Sequence, residues 1–343
     1  MVGDNQEGKD YVFGSILINK IKCSNNCVFC KAGSLDYPDD LSEESVAQLE
    51  HDTKYFFEKG IKTVDVSGSE PLKYSGIIPY LRRIRSLFDT IIVLDPGLKL
   101  ANENFAKAFI RTGFDRIVLP IYGSAPAVHD ACVQNKRAFK KLVAGIRNLQ
   151  KFKKDHQQIE ITTIILKQNK HNIVDLAMFL RDELGFSGIV VNAPMATEEG
   201  VGSFFDEFSV SFASIRDVIL GLSKIEGMSF DFKYIPLCIF SEEELRWFNR
   251  HGRRMTFFNV FYTYNLPDGK KYEDHAKYVK RYREQVHFPT CDKCYLKKNN
   301  ICSGILRLHY TKNARYRFHA ITKETYDEIK PIIICGSVNK QDG

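Results

Sequence analysis

An alternation between residues 14 and 195 constrains this chain most. Six short runs rich in Val, Ile and Leu lie at Ser15–Asn19, Thr63–Ser67, Thr90–Leu94, Arg116–Ile121, Glu160–Leu166 and Gly188–Asn192. Between them run longer stretches with apolar residues every three or four positions, as in Val46, Leu49, Phe56 and Phe57, then Phe105, Ala108 and Phe109, then Ile173, Leu176, Phe179 and Leu180. Short β-type runs alternating with helical periods predict an α/β protein, its parallel sheet built from six strand–helix units by right-handed crossovers. Periodicity leaves open whether that sheet closes into a barrel. Beyond residue 200 the alternation is expected to fail. Residues 201–235, with Phe204, Phe205, Phe208 and Phe212 followed by a helical stretch, form a bridge. Residues 236–343 form a small Cys-rich domain with few long apolar stretches, so an inorganic group is expected to hold it together.

Composition narrows the class. With 44% hydrophobic and 27% charged residues, the chain is globular. Its net charge of +7 is spread along the sequence, so the expected steering of acidic partners is weak, and nucleic acid is not an expected partner. The Lys151–Lys154 stretch reads as a solvated helix end. No apolar run approaches the ~20 residues of a membrane span. Met1–Asp10 is polar and lacks an apolar export core, so a cytoplasmic chain is expected, preceded by a tail over residues 1–13.

Nine cysteines need a reason in a reducing compartment, where structural disulfides are rare. Cys23, Cys27 and Cys30 form one group and Cys291, Cys294 and Cys302 another, while Cys132, Cys238 and Cys335 stand alone. The first group has C-x3-C-x2-C spacing on the loop after the first strand, with Phe29 just before the last thiol. Three thiolates on one tight loop match three corners of a cubane [4Fe-4S] cluster and leave the fourth iron without a protein ligand. Structural zinc, the rival, favours paired arms and four ligands. Three buried free thiols would not need this spacing.

This loop resembles the signature of the radical S-adenosylmethionine (SAM) superfamily. The resemblance implies a partial (β/α)6 barrel over residues 14–200 and an iron chelated by the amino and carboxylate groups of SAM. It also implies one-electron cleavage of the sulfonium to methionine and a 5′-deoxyadenosyl radical, with the electron delivered by a donor such as flavodoxin or ferredoxin. Val66-Ser-Gly68-Ser69-Glu70-Pro71 resembles the family's Gly-Gly-Glu-Pro motif, with serine for the second glycine. Gly68, Ser69 and Glu70 are thereby implied to meet the ammonium of the methionine moiety, and Phe29 belongs to the same cofactor site. The remaining strand ends are Asp95-Pro-Gly97, Pro120-Ile-Tyr122-Gly-Ser124, Lys167-Gln-Asn169 and Asn192-Ala-Pro194, and parallel strands place them on one rim. By resemblance Ser124 and Lys167 touch the ribose or carboxylate and Asn192 lies near the adenine, each with a plain turn role as the alternative. His129-Asp130 matches a pair found in peptide-modifying members; its alternative is a helix start favoured by the dipole. Cys132 reads as an ordinary buried or half-buried thiol.

Cys291-x2-Cys294-x7-Cys302, with Cys238 or else Cys335 as fourth ligand, resembles the Twitch form of the SPASM auxiliary domain, which implies a second, fully coordinated [4Fe-4S] cluster. A zinc knuckle is the rival. Among peptide maturases the chain is most similar to the His-Xaa-Ser type, through Pro120-Ile-Tyr-Gly to His129-Asp130, Lys167-Gln-Asn169, Ile235-Pro-Leu-Cys238 and the C-terminal cysteines. The function expected is hydrogen abstraction from a peptide or protein, leading to a cross-link, epimerisation or oxidation. The alternatives are a small-molecule or nucleotide substrate, since no separate leader-binding module is legible, and a non-catalytic metal-binding interaction protein. No catalytic acid, base or hydrogen donor stands out.

Overall fold

Each of the six expected strands forms within two residues of its predicted ends: β1 (Phe13–Ile18), β2 (Thr63–Gly68), β3 (Thr90–Leu94), β4 (Arg116–Pro120), β5 (Gln158–Ile164) and β6 (Gly188–Asn192). The structure is a computed structural model. It describes residues 13–30, 34–194, 201–250, 255–258 and 285–299, and all of 301–334 except 303, 307, 308, 310–312 and 314. Helices α1 (Glu43–Glu58), α2 (Ile77–Ile84), α3 (Glu103–Ile110), α4 (Pro126–Val133), α5 (Ala138–Phe152) and α6 (Ile173–Asp182) fill the connections.

Local chemistry sets these elements. Ser42 starts α1 by accepting from the Ser45 amide at 3.2 Å, with Glu43 and Glu44 in the first turn where the helix dipole favours anions. α1 buries Leu49 and Phe56. The Phe56 ring lies over Gly14 of β1, where a Cβ would come within 2.6 Å of it, so a glycine is needed for the helix to reach the sheet. Ile16, Val64, Val66, Val93, Ile117 and Leu119 are fully buried on the helix-facing side. Each such side chain contributes roughly 1.5–3 kcal/mol on removal from water. Alternate residues occupy the other face, which is polar: Ser15, Asp65, Arg116, Glu160, Asn192, Asp231 and Lys233.

The expectation that the alternation fails after residue 200 is corrected. After α7 (Val201–Phe208) and α8 (Phe212–Leu222), β7 (Ser229–Lys233) pairs in parallel with β6. After α9 (Glu242–Arg250), β8 (Met255–Phe258) pairs with β7. The short runs Ser-Phe-Asp-Phe-Lys and Met-Thr-Phe-Phe hide as strands because phenylalanine, not β-branched residues, supplies their buried face. Past residue 285 lie an antiparallel pair of two-residue strands, β9 (Gln285–Val286) and β10 (Ile305–Leu306), then a one-turn α10 (Tyr295–Lys298) within that span, and α11 (Lys323–Ile329). β11 (Ile333–Ile334) returns to pair with β8. The main sheet thus has nine parallel strands in chain order among the described residues, open because its edge strands β1 and β11 do not pair. It is an α/β partial barrel with a Cys-rich C-terminal segment attached. Parallel pairing sends the loops after β1–β6 to one rim, as expected.

Candidate active site

On that rim the cysteine loop is tied down on both sides. From β2, the buried Glu70 carboxylate accepts from the Ser24 amide at 2.7 Å, and the Cys23 thiol reaches the Ser69 carbonyl at 3.5 Å. From α4, the Val133 and Cys132 carbonyls accept from the Asn26 and Val28 amides, each at 2.9 Å. Cys23, Cys27 and Cys30 are half-buried. Burial pushes the Cys23 thiol up to about 12, with Glu70, Cys30 and Asp95 reinforcing the shift, and burial with its two sister thiols raises Cys27 further. No cation figures among these causes. Three thiols beside two carboxylates could hold a positively charged inorganic group.

The turn after β2 shows why its glycine is fixed. Gly68 has φ +134°, and a Cβ there would stand 2.4 Å from the Ile18 carbonyl oxygen. Ser69 has no positive φ, so serine fits the second position of the motif, and its hydroxyl donates to the Asn19 carbonyl at 2.9 Å. Behind Glu70 stands Asp95, fully enclosed, accepting from the Leu72 amide at 2.7 Å and the Gly97 amide at 2.6 Å. Burial and the neighbouring Glu70 carboxylate push Asp95 up to about 7. Its position at a strand end was legible, but its bracing role was not; the available signal was the Asp-Pro-Gly sequence, in which the aspartate caps the amide two residues on.

An apolar wall shields the loop. Phe29 meets Tyr122 edge-on with ring centroids 5.2 Å apart and Phe208 at 6.4 Å, and Phe205 packs on Phe208 at 5.4 Å. Tyr122 is buried beside the cysteines, and that burial and their charge raise its phenol. Cys132 is buried in the same cluster, as expected.

The other expected cofactor contacts all hold local partners. Ser124 exchanges hydrogen bonds with the Asn172 amide at 3.0 and 3.2 Å. The exposed Lys167 ammonium donates to the Asp206 carbonyl. The Asn192 amide donates to Thr162 Oγ1 at 2.8 Å and the Thr163 carbonyl at 2.9 Å.

His129 and Asp130 are both used by the fold. His129 Nδ1 accepts from the Tyr122 amide at 3.1 Å, and the Asp130 carboxylate accepts from the Arg137 and Phe139 amides at 2.7 and 2.8 Å, capping α5 rather than its own helix. Burial lowers the His129 imidazole to about 4. A neutral histidine of depressed pKa contributes stability that is lost as pH falls from about 6.5 toward about 4, on the order of 3 kcal/mol at full titration. Asp95, raised, acts with the opposite sign, so the informative quantity is a difference. Urea unfolding at about pH 6.5 and about pH 4.5 should show the wild-type advantage over His129→Gln shrinking on acidification.

At the far side of the sheet, Cys238, Cys291, Cys294 and Cys302 line one cavity of about 40 Å³ together with Phe257, Leu296, Phe318 and His319. Burial raises the Cys238 thiol, and the charges of the other three raise it further. Among the described residues no three Cys, His, Asp or Glu side chains are arranged to hold a single metal ion. Cys335 lies outside the described residues.

Residues 21–180 match the family model for the Radical SAM superfamily. That stretch, a little under half of the chain, is similar to a radical SAM domain. It is 24% identical over 216 residues to GTP 3′,8-cyclase of Limosilactobacillus fermentum, covering 61% of this chain and 60% of that enzyme's length. To probable GTP 3′,8-cyclase of Methanothermobacter thermautotrophicus it is 24% identical over 164 residues, 47% of this chain and 52% of that one. Its backbone resembles anSMEcpe with bound AdoMet and Cp18Cys peptide, with TM-score 0.57, 14% identity, and 93% and 96% of the two chains covered. It also resembles Streptococcus suis SuiB bound to precursor peptide SuiA, with TM-score 0.57, 14% identity, and 91% and 76% covered. The chain thus spans only about half to 60% of the length of these curated relatives, and the structural likenesses show the fold. No described helix is long and apolar enough to cross a membrane.

Proposed function

We propose that this chain is a radical SAM enzyme that abstracts hydrogen from a peptide or protein substrate and holds a second iron–sulfur cluster near its C-terminus. One observation carries the reading: four thiols line a single cavity at the end of a backbone that aligns along nearly its whole length with proteins solved with a bound peptide. Cys23, Cys27 and Cys30 would hold a [4Fe-4S] cluster, and Gly68, Ser69 and Glu70 the amino-acid end of SAM. Together, when bound and reduced by a flavodoxin- or ferredoxin-type donor, these groups supply a 5′-deoxyadenosyl radical. The chain's own part is positioning and exclusion. Glu70 fixes the cysteine loop through Ser24 while Asp95 braces the following turn, and Tyr122, Phe205 and Phe208 form an apolar cluster against which Cys27 and Phe29 pack. Ser124, Lys167 and Asn192, at the ends of β4, β5 and β6, would face the ribose and adenine after exchanging their present partners. The polar inner face would receive the substrate from the rim side, the Arg116–Glu160 pair at 3.1 Å lying toward its other end.

Cys238, Cys291, Cys294 and Cys302, which line one cavity, would hold the second cluster, with a four-thiolate zinc site as the rival. Four thiols close every iron, so this cluster would carry electrons or brace the fold without binding substrate.

A second reading, a nucleotide substrate, is favoured by the GTP 3′,8-cyclase relatives. Deuterium transfer into 5′-deoxyadenosine separates the two. With dithionite and SAM, label should pass from a deuterated cellular peptide fraction, and protease pretreatment should abolish the transfer. Label passing from deuterated GTP alone would overturn the peptide reading.

A further inference from the structure

We infer that the N-terminal end of α5 and the loop before it form a docking surface for an acidic one-electron carrier protein, an inference that rests on the radical SAM reading of the cysteine loop. From Ala131 to Lys154 the sequence holds eight Lys and Arg and no Asp or Glu, against an excess of +7 for the whole chain. Lys136, Arg137, Lys140 and Lys141 are exposed, and none forms an ion pair among the described residues. Lys151, further along α5, pairs with Glu103 at 3.4 Å.

The crowding is costly where it stands. A helix N-terminus already carries about half a positive charge, and cations there are unfavourable. The first turn of α5 has no acidic residue, and the carboxylate of Asp130, in the preceding helix, is turned onto backbone amides. A solvated helix face would not need four unpaired cations at its positive pole, whereas an acidic partner would offset all of them.

Placement gives the patch its purpose. Gln134 and Arg137 both adopt left-handed backbone conformations (φ 48° and 73°), which folds the intervening loop against the cysteine loop. Asn135 Nδ2 donates to the Ser24 carbonyl at 2.9 Å and to Asn25 Oδ1 at 2.8 Å, and Asn26 Nδ2 donates to Gln134 Oε1 at 2.9 Å. Ser24 and Asn26 are the chain neighbours of Cys23 and Cys27. A carrier resting on Lys136–Lys141 therefore sits one hydrogen bond from the cluster loop. Charge steering suits the small, short-lived encounters of electron transfer, speeding association without demanding a large interface.

The test compares two reductants on the anaerobically reconstituted full chain. The variant K136E/K140E/K141E is set against K151E/K153E/K154E, the same charge change at the far end of the helix. With dithionite, both variants should form 5′-deoxyadenosine within about twofold of wild type. With flavodoxin, NADPH and flavodoxin reductase at low ionic strength, only the first should fall, by about tenfold or more, and the gap should narrow as salt screens the wild type. Wild-type rates with flavodoxin, or equal losses with both reductants, would overturn the docking surface. So would intact flavodoxin-driven turnover with lost affinity for a single-stranded RNA oligonucleotide, which would reassign the patch. If wild type forms no product even with dithionite, the radical SAM reading itself fails and this inference falls with it.

Discussion

Replacing Cys23, Cys27 and Cys30 together with alanine should drop 5′-deoxyadenosine formation to background and cut bound iron from roughly eight atoms per chain to roughly four, the content of one [4Fe-4S] cluster. The protein should stay folded. The loop is held by groups other than the thiols: the Ser24 amide on Glu70, the Asn26 and Val28 amides on the end of α4, and Asn135 on Ser24. Iron assay with circular dichroism checks the result. Unchanged iron would place both clusters, or the single one, elsewhere.

Gly68→Ala should be the most damaging single substitution on the rim. Alanine disfavours φ +134°, and its methyl would stand 2.4 Å from the Ile18 carbonyl oxygen and 2.8 Å from Asn19 Oδ1. Backbone strain and steric overlap together cost about 3 kcal/mol or more. Ile18 and Gly68 are register partners at the ends of β1 and β2, so the strain cannot be relieved without parting those strands or moving Ser69 and Glu70. Either movement loosens the 2.7 Å bond from Ser24 to Glu70, so SAM binding should weaken along with the fold. Ser69→Gly is the control. It loses one hydroxyl bond to Asn19, worth about 1 kcal/mol, and leaves the turn intact. Urea unfolding and equilibrium SAM binding on both variants would distinguish them; equal behaviour would show that the close approach at Gly68 does not govern this rim.

The parts that were legible in the sequence are those written in period and spacing. β1 to β6 announced themselves through Val and Ile runs, and the C-x3-C-x2-C loop and Gly-Ser-Glu-Pro turn through their fixed offsets. β7 and β8 did not, because Phe230, Phe232 and Phe257 fill their core face and the runs are only five and four residues long. Asp95 was visible as a strand end, but its contact with the Leu72 amide depends on where the turn after β2 arrives. His129-Asp130 shows the converse. The pair was noticed for its chemistry, yet folding uses the imidazole to accept from Tyr122 and the carboxylate to cap a helix beginning eight residues later. The charged inner face was equally hidden, since Arg116, Glu160 and Asp231 come together only through strand register.

The most direct measurement is electron paramagnetic resonance of the anaerobically reconstituted, dithionite-reduced protein with and without SAM. Two cluster signals are expected: one altered by SAM and lost in the triple alanine variant of Cys23, Cys27 and Cys30, the other indifferent to SAM. A single signal unmoved by SAM, or zinc in place of iron and sulfide at the N-terminal loop, would contradict the account.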